Sequence, residues 1–231
     1  MRKSSNIEGV AFDLDGTLYP NHSLNIKLIP FAMKEMRLLA AFGKARTIIR
    51  KEQQNTPNCQ FPDFYKRQAE VTAEILGEQQ EPVKEKIELL IYRGWEPLFK
   101  SISLFTGAME TIAAFRAAGI KVGLLSDFPP EIKLEYLGLA GLWDAALCSE
   151  HYGALKPHPL PFMELASAMS LPPEKILYVG NSRPYDVTGA KTANMQTAWI
   201  KSPLFPGSGF KKPIPDFTFY RYRQLCNYVL K

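Results

Sequence analysis

One arrangement constrains this fold most: a short buried strand, then a long helical block, then a regular alternation of helices and strands. Val10–Leu14 is an apolar run that ends at Asp15-Gly16-Thr17, which predicts a strand running into a tight turn. From Thr106 onward, predicted strands alternate with predicted helices. Such alternation is typical of βαβ units, which build a parallel sheet with helices on both faces. We therefore predict an α/β fold with a doubly wound parallel sheet.

The block that separates the first strand from the rest is rich in Lys, Glu, Gln, Leu and Ala. Apolar residues recur at helical spacing in three of its stretches: Ile26–Ile49, Phe64–Leu76 and Val83–Phe99. This pattern predicts an all-helical insert after strand one. We expect a Rossmann-like catalytic core, residues 1–19 and 103–231, and a small helical cap domain, residues 20–102.

The remaining elements follow from apolar runs and turn signals. The predicted strands are Ile120–Leu125, Ala145–Cys148, Ile176–Val179, Gln196–Ile200 and Phe217–Phe219. The predicted helices are Ala108–Ala118, Pro130–Leu137, Pro161–Met169, Tyr185–Thr192 and Arg221–Leu230. The Gly/Pro/Lys-rich stretch Ser202–Pro215 predicts an exposed loop.

Composition and charge exclude several classes of protein. Hydrophobic residues make up 46% of the chain and charged residues 22%, which is globular usage and argues against disorder. No apolar run approaches the roughly 18 residues of a membrane-spanning helix, so no membrane partner is expected. The formal charge of +5 comes from scattered basic residues without interleaved aromatic residues, which disfavours a nucleic-acid partner.

The cysteines and the first residues bear on the cellular compartment. Cys59, Cys148 and Cys226 are odd in number and show no paired spacing, which argues against a disulfide framework and a four-cysteine zinc site. Met1–Glu8 contains basic residues, but the apolar h-region of a signal peptide does not follow it, so no secretory signal is expected. We therefore expect reduced thiols and a cytoplasmic protein.

Oxygen-bearing side chains follow the first and fourth predicted strands of the core. Asp13 and Asp15 are two positions apart, so on a strand they face the same side. Two close carboxylates repel each other unless a cation or a shared proton relieves them. Asn181 and Asp186 lie in the segment that follows the strand Ile176–Val179. Ligands of open α/β sheets bind at the carboxyl ends of the strands, so a shared site is predicted there.

Ser126 and Lys156 follow the two strands in between. Ser126 offers a hydroxyl beside a backbone N–H, and Lys156 is a cation suited to a phosphate oxygen. Each of these residues also has an interpretation without a binding role. Ser126 and Asn181 could cap the helices that follow them, and Lys156 could be an ordinary surface lysine. The ordered occurrence of all four segments at successive strand ends favours a phosphate site.

These segments resemble the motifs of the haloacid dehalogenase-like (HAD) hydrolase superfamily. They are Phe-Asp-Leu-Asp-Gly-Thr-Leu-Tyr at 12–19, Leu-Leu-Ser at 124–126, Leu-Lys-Pro at 155–157, and Gly-Asn-Ser followed by Asp186 at 180–186. The helical block resembles the cap that the family's phosphatases insert between motifs one and two. The resemblance implies a Mg²⁺-dependent phosphatase of a small phosphorylated metabolite that acts through an aspartyl-phosphate.

The resemblance also implies a role for each matching residue. Asp13 corresponds to the nucleophile and Asp15 to the general acid and base. The implied phosphate-binding residues are Ser126, Asp127 and Lys156, and the implied Mg²⁺ ligands are Asp13, Asp15 through its backbone carbonyl, Asn181 and Asp186.

Two positions bear on which reaction is expected. The family usually has Asp where this chain has Asn181, and an amide brings no charge, so we expect weaker metal binding. Dehalogenases of the family lack the second Asp of motif one, whereas Asp15 is present here, which favours a phosphatase. A phospho-ligand-binding or regulatory protein with weak or no turnover, and a phosphomutase, are the alternatives.

The insert is expected to close over the site and to contact a small phosphate ester. For Arg46 and Arg50 a solvated helix face is the competing interpretation, and His158 is interpreted as structural. The candidate contact residues are Tyr19, Asn21, His22, Arg46 and Arg50.

Overall fold

The predicted parallel sheet is present in the computed structural model, which describes residues 7–56, 60–201 and 213–231. Its strands are β1 Gly9–Phe12, β2 Lys121–Ser126, β3 Ala145–Cys148, β4 Ile176–Gly180, β5 Gln196–Ile200 and β6 Phe217–Phe219. They lie in the order β3-β2-β1-β4-β5-β6, and every neighbouring pair is parallel. The doubly wound α/β prediction is therefore confirmed.

The helical insert, defined here as Asn21–Ser101, lies between β1 and β2. Its elements are α1 Asn21–Asn55, α2 Phe64–Leu76, α3 Gln80–Lys86, a π-helical segment Ile87–Tyr92, α4 Arg93–Trp95 and a 3-10 segment Glu96–Ser101. This all-helical content fits the predicted cap domain.

Two insert helices differ from their predicted form. The first is longer at both ends than predicted, contains Pro30, and kinks at Glu35, where φ is −118° and ψ is 31°. The predicted helix Val83–Phe99 is a series of short α, π and 3-10 segments. Gly94 and Pro97 lie within it, and proline cannot donate the backbone hydrogen bond that a regular helix interior needs.

Helices cover both faces of the sheet. The core helices are α5 Ala108–Ala117, α6 Glu131–Tyr136, α7 Pro159–Ala168, α8 Thr188–Thr192 and α9 Tyr222–Val229. Because successive strand residues face opposite sides, Phe12 of β1 packs with Phe115 and Leu225 on one face, while Ala11 packs with Phe162 on the other. Burial on both faces explains why β1 is apolar throughout.

The strand order places a topological switch point at the centre of the sheet. The chain passes from β1 to β2 and β3 on one side, and then crosses to β4 on the other side of β1. The carboxyl ends of β1 and β4 therefore flank the crevice where open α/β sheets bind ligands.

Two sequence predictions, on the cysteines and on the loop Ser202–Pro215, fall only partly within the described residues. Cys148 and Cys226 are free thiols, whereas Cys59 and residues 202–212 of the predicted exposed loop lie outside the described residues. Within the described ranges, no helix has the length and apolar character needed to cross a membrane.

Candidate active site

Asp13 and Asp15 lie in the turn that directly follows β1. The turn depends on Gly16, whose φ of +86° is in the left-handed region that favours glycine. A Cβ atom at Gly16 would overlap the side-chain amides of Asn21 and Asn181. Gly16 therefore allows the end of β1 to lie directly against the loop that follows β4.

Asp13 is buried in a cluster with Thr17, Lys156 and Asp186, which we call the Asp13 cluster. Lys156 Nζ donates to Asp13 Oδ1 at 2.6 Å and to Asp186 Oδ1 at 2.8 Å. Thr17 Oγ1 donates to the other Asp13 oxygen at 2.7 Å. The structure thus brings together three residues that the sequence assigned to one site, and one ammonium faces two carboxylates.

Burial and charge shift the titration of this cluster in opposing ways. Burial raises the pKa of the Asp13 carboxyl to about 7, although the Lys156 ammonium acts to lower it. Burial alone would lower the pKa of Lys156, but Asp13 and Asp186 raise it well above its usual value. Lys156 therefore stays protonated, and it is the one ammonium group that two carboxyl groups of the cluster share.

Asp186 reaches the cluster because of the glycine that ends β4. A Cβ atom at Gly180 would overlap the Asp186 side chain. The second Asp186 oxygen accepts from the Ser182 backbone N–H at 2.8 Å. Tyr178, within β4, accepts from Lys156 at 3.3 Å through its hydroxyl. Sequence analysis missed Tyr178, since it lies inside a strand that is otherwise apolar.

The Asp15 side chain has partners different from those of Asp13. Lys133 Nζ donates to both Asp15 oxygens at 2.9 and 3.0 Å, and the Tyr19 hydroxyl donates to Oδ1. Burial and the nearby Asp15 carboxylate raise the pKa of Tyr19, so Tyr19 stays a phenol that donates. Sequence analysis missed Lys133. The one sequence feature that could have indicated Lys133 is its position on α6, the helix that follows the motif containing Ser126.

Ser126 ends β2, and Asp127 directly follows it, beside the Asp13 cluster. The buried Ser126 hydroxyl accepts from the Phe128 backbone N–H at 3.1 Å. The Asp127 carboxylate accepts from Arg50 at 2.8 Å and from the Lys156 backbone N–H at 3.1 Å. Burial opposes ionisation of Asp127, but these cationic neighbours hold its pKa below the usual value. Because an anion repels phosphate, Asp127 is suited to bind phosphate only through its backbone N–H.

Arg46 and Arg50 dock the insert onto the core, so the solvated helix-face interpretation is wrong. Arg46 is only 4% exposed and forms an ion pair with the buried Glu150. Arg50 donates through Nε to the Lys156 backbone carbonyl at 2.9 Å, in addition to its contact with Asp127. The face of α1 that carries both arginines packs on the core loops, which sequence periodicity could not show.

The remaining candidates lie around this centre. The amide of Asn21 packs over Gly16, while His22 is exposed. His158 Nδ1 accepts from the Leu160 backbone N–H at 3.2 Å and so caps α7. This contact agrees with the structural role predicted for His158.

The donor atoms beside the Asp13 cluster fit a magnesium ion. Asn181 Nδ2 donates to the Asp15 backbone carbonyl at 3.3 Å, so the amide and this carbonyl are adjacent. Across the described residues, no group of three or more His, Cys, Asp or Glu side chains is arranged to hold a metal. Mg²⁺ needs only one or two carboxylates because it keeps several waters. Asp13 and Asp186, which share one lysine, supply that number.

A cavity of about 830 Å³ lies between the insert and the core, and Asp15 and Lys133 form part of its wall. We call it the aromatic cavity. Five of its lining residues are Tyr, Trp or Phe: Tyr65, Tyr92, Trp95, Phe99 and Phe128. The Lys133 ammonium lies 5.1 Å from the centre of the Phe99 ring and 5.0 Å from that of Phe128.

Comparison with known proteins places this site in a family. Phosphoglycolate phosphatase from Salmonella typhi is 28% identical, over 97% of this chain and 93% of its own. L-2-haloacid dehalogenase from Xanthobacter autotrophicus shares the fold with a TM-score of 0.66 at 19% identity, over 97% of this chain and 98% of its own. A HAD phosphatase from Thermococcus onnurineus has a TM-score of 0.60 at 19% identity, over 96% of this chain and 97% of its own. The family model described as haloacid dehalogenase-like hydrolase matches residues 7–194, and the chain therefore belongs to the haloacid dehalogenase-like hydrolases.

Proposed function

We propose that this hydrolase is a Mg²⁺-dependent phosphatase that cleaves a small phosphate monoester through an aspartyl-phosphate on Asp13. In this proposal residues 1–19 and 103–231 form the catalytic core and residues 20–102 the cap. The observation that carries it is the position of Asp13, buried between Lys156 and Thr17 while Asp15 borders a large cavity. The curated relatives named as phosphoglycolate phosphatases support it.

The first step transfers the phosphoryl group to Asp13. Each Asp13 oxygen accepts one hydrogen bond, so each retains a lone pair for attack on phosphorus. Lys156, the Ser126 hydroxyl and the Asp127 backbone N–H hold the phosphoryl oxygens. As the bond from phosphorus to the alcohol oxygen breaks, protonated Asp15 gives its proton to that oxygen.

The second step hydrolyses the aspartyl-phosphate. Asp15, held in place by Tyr19 and Lys133, takes a proton from the attacking water. Inorganic phosphate leaves, and Asp13 is regenerated. Bound by Asp13, Asp186, Asn181 and the Asp15 carbonyl, Mg²⁺ would offset the repulsion between Asp13 and the phosphate.

The docked insert bears on the size of the substrate. Arg50 ties α1 to the core at Asp127 and Lys156, directly beside the Asp13 cluster. A lid held this close encloses a small ester and excludes water from the reaction. A phosphorylated side chain of a folded protein would not fit beneath it.

The reaction class is tested by comparing phosphate and halide release. We expect phosphate release from 2-phosphoglycolate or another small ester with Mg²⁺, and none with a chelator. We expect no chloride release from 2-chloropropionate under either condition. Chloride release without phosphate release would show a dehalogenase and would overturn the proposal.

Asn181 is expected to limit the affinity for Mg²⁺. In Asn181→Asp the added carboxylate contributes a charge to the metal site, so half-maximal activity should occur at a Mg²⁺ concentration lower by roughly 10-fold. Titration of activity and of the thermal unfolding midpoint with Mg²⁺ measures this. Asn194→Asp, a change of the same type in the turn before β5, is the control and should leave the Mg²⁺ dependence unchanged. Equal Mg²⁺ dependence in wild type and Asn181→Asp would argue against Asn181 as a ligand.

A further inference from the structure

We propose that the leaving alcohol carries a flat, uncharged aromatic or heteroaromatic ring that binds in the aromatic cavity between the insert and the core. This inference rests on the proposed phosphatase function and adds the substrate class. It differs from the activity in the relatives' name, because glycolate is a two-carbon hydroxy acid with neither ring nor bulk.

The position of Asp15 defines the side on which the alcohol leaves. As general acid, Asp15 must contact the oxygen between phosphorus and the alcohol. The phosphoryl group itself belongs on the side of Asp13 and Lys156, which are buried and do not line the cavity. The alcohol therefore extends past Asp15 into the aromatic cavity.

The cavity is built for a bulky and apolar group. Its volume of about 830 Å³ falls within the roughly 300–1,000 Å³ of pockets that bury drug-sized ligands. The ring centres of Tyr92 and Phe128 are 5.8 Å apart, and those of Trp95 and Phe128 are 6.3 Å apart. These pairs are inclined at 60° and 50°, so the rings form adjoining walls. A flat ring placed among them would make the stacked or edge-on contacts that aromatic groups favour.

The charges around the cavity disfavour an anionic alcohol. Five acidic side chains and three lysine or arginine side chains line it. Of the lysine and arginine side chains, Lys133 is bound to Asp15, Arg93 is bound to Glu88 and Glu96, and Lys84 is exposed. A carboxylate such as that of glycolate would meet an excess of negative charge without a free buried cation among these lining residues.

Lys133 also disfavours a cationic alcohol. Acidic walls and aromatic rings suit a quaternary ammonium group in other proteins. Here the Lys133 ammonium already lies against the faces of Phe99 and Phe128, next to Asp15. A second cation at that end would be repelled, which leaves an uncharged ring as the best match.

The cavity wall also contains one polar group that a ring could satisfy. The indole N–H of Trp95 is buried and donates to no acceptor in the described parts of the chain. A buried donor without an acceptor is unfavourable. A heteroaromatic ring with a nitrogen or carbonyl acceptor would supply the missing hydrogen bond.

The test uses four phosphate esters that share a two-carbon alcohol: 2-phenylethyl phosphate, ethyl phosphate, 2-phosphoglycolate and phosphocholine. Burying the phenyl ring should raise kcat/KM for 2-phenylethyl phosphate at least about 10-fold above each of the other three. Equal values, or a preference for the carboxylate or the quaternary ammonium ester, would overturn the inference and leave the phosphatase function standing.

Variants of Trp95 separate the cavity from the catalytic centre. Trp95→Leu should raise KM for 2-phenylethyl phosphate roughly 10-fold while leaving KM for ethyl phosphate unchanged, and Trp95→Phe should retain most of the binding. Tyr136→Leu removes a ring that does not line the cavity, and it should change neither value. Equal effects of the two leucine variants would contradict a role for Trp95.

Binding measurements on the wild type decide the case in which no ester is hydrolysed. That result would contradict the proposed function. Even so, 2-phenylethylphosphonate should bind at least about 10-fold more tightly than ethylphosphonate. Tryptophan fluorescence measures both binding affinities. Equal binding, or none, would overturn the inference without recourse to activity.

Discussion

Replacement of Asp13 by Asn is expected to lower the rate of phosphate release by about 10⁴-fold or more, while phosphate binding is retained. The amide is almost the same size as the carboxylate, but it lacks the anionic oxygen that attacks phosphorus. Lys156 and Ser126 would remain in place to hold phosphate. With one negative charge removed beside the phosphate, its binding should be unchanged or tighter.

Asp186→Asn is the matched control for the change in charge. It also removes one of the two carboxylates that contact Lys156, but it leaves the nucleophile intact. We expect it to lower the rate by only about 10–100-fold, as changes around a ligand set usually do. If both variants lost activity equally, charge rather than nucleophilicity would explain the effect of Asp13.

Steady-state phosphate release and acid-quench detection of the phosphoenzyme measure this prediction, and they also separate the alternative functions. A phosphomutase would form the phosphoenzyme and return the phosphate to a second hydroxyl, so little inorganic phosphate would appear. A binding or regulatory protein would show no turnover in the wild type, and Asp13→Asn would change only its affinity. Wild-type turnover that survives Asp13→Asn would exclude Asp13 as nucleophile.

The central side chains were predictable because short segments carry their chemistry. Asp13, Lys156 and Asp186 each lie at or beyond the carboxyl end of a predicted strand of a parallel sheet, and these ends meet at one edge. No knowledge of side-chain packing was needed to bring them together. The strand order, with β1 beside both β2 and β4, then accounts for their contact in the structure.

The contacts between insert and core were not predictable, because they depend on how two helical faces meet. Arg46 and Arg50 occupy positions that suit an exposed helix face equally well, yet both are enclosed by the core loops. Lys133 and Tyr178 reach the site from a helix and a strand whose patterns indicate only secondary structure. Periodicity reports which residues are apolar, and buried polar residues of this kind escape it.

Lys156→Met should destabilise the protein by about 3–5 kcal/mol and abolish turnover, because it leaves two buried carboxylates without their shared cation. Lys156 is 4% exposed and contacts Asp13 at 2.6 Å and Asp186 at 2.8 Å. Methionine has nearly the same length and removes only the charge and the donors. Urea unfolding monitored by circular dichroism measures the loss.

The destabilisation should depend on pH in a defined direction. Burial already raises the pKa of Asp13 above its ordinary value of 3.8, and the Lys156 ammonium counters that rise. Without the lysine, the folded-state pKa rises further, so the folded protein resists ionisation more strongly than the unfolded chain. Because the folded-state pKa of Asp13 in wild type is already about 7, the stability lost relative to wild type should be small below about pH 6 and should grow as the pH rises through 7 toward 8.

Two further variants distinguish this explanation from a general packing defect. Adding Asp13→Asn and Asp186→Asn to Lys156→Met removes the uncompensated carboxylates, and it should restore much of the lost stability without restoring turnover. Lys175→Met breaks an exposed ion pair with Glu8, so it should cost no more than about 1 kcal/mol. If Lys156→Met were equally destabilising at pH 4 and pH 8, the loss would come from packing, and the buried charge cluster would not be what Lys156 stabilises.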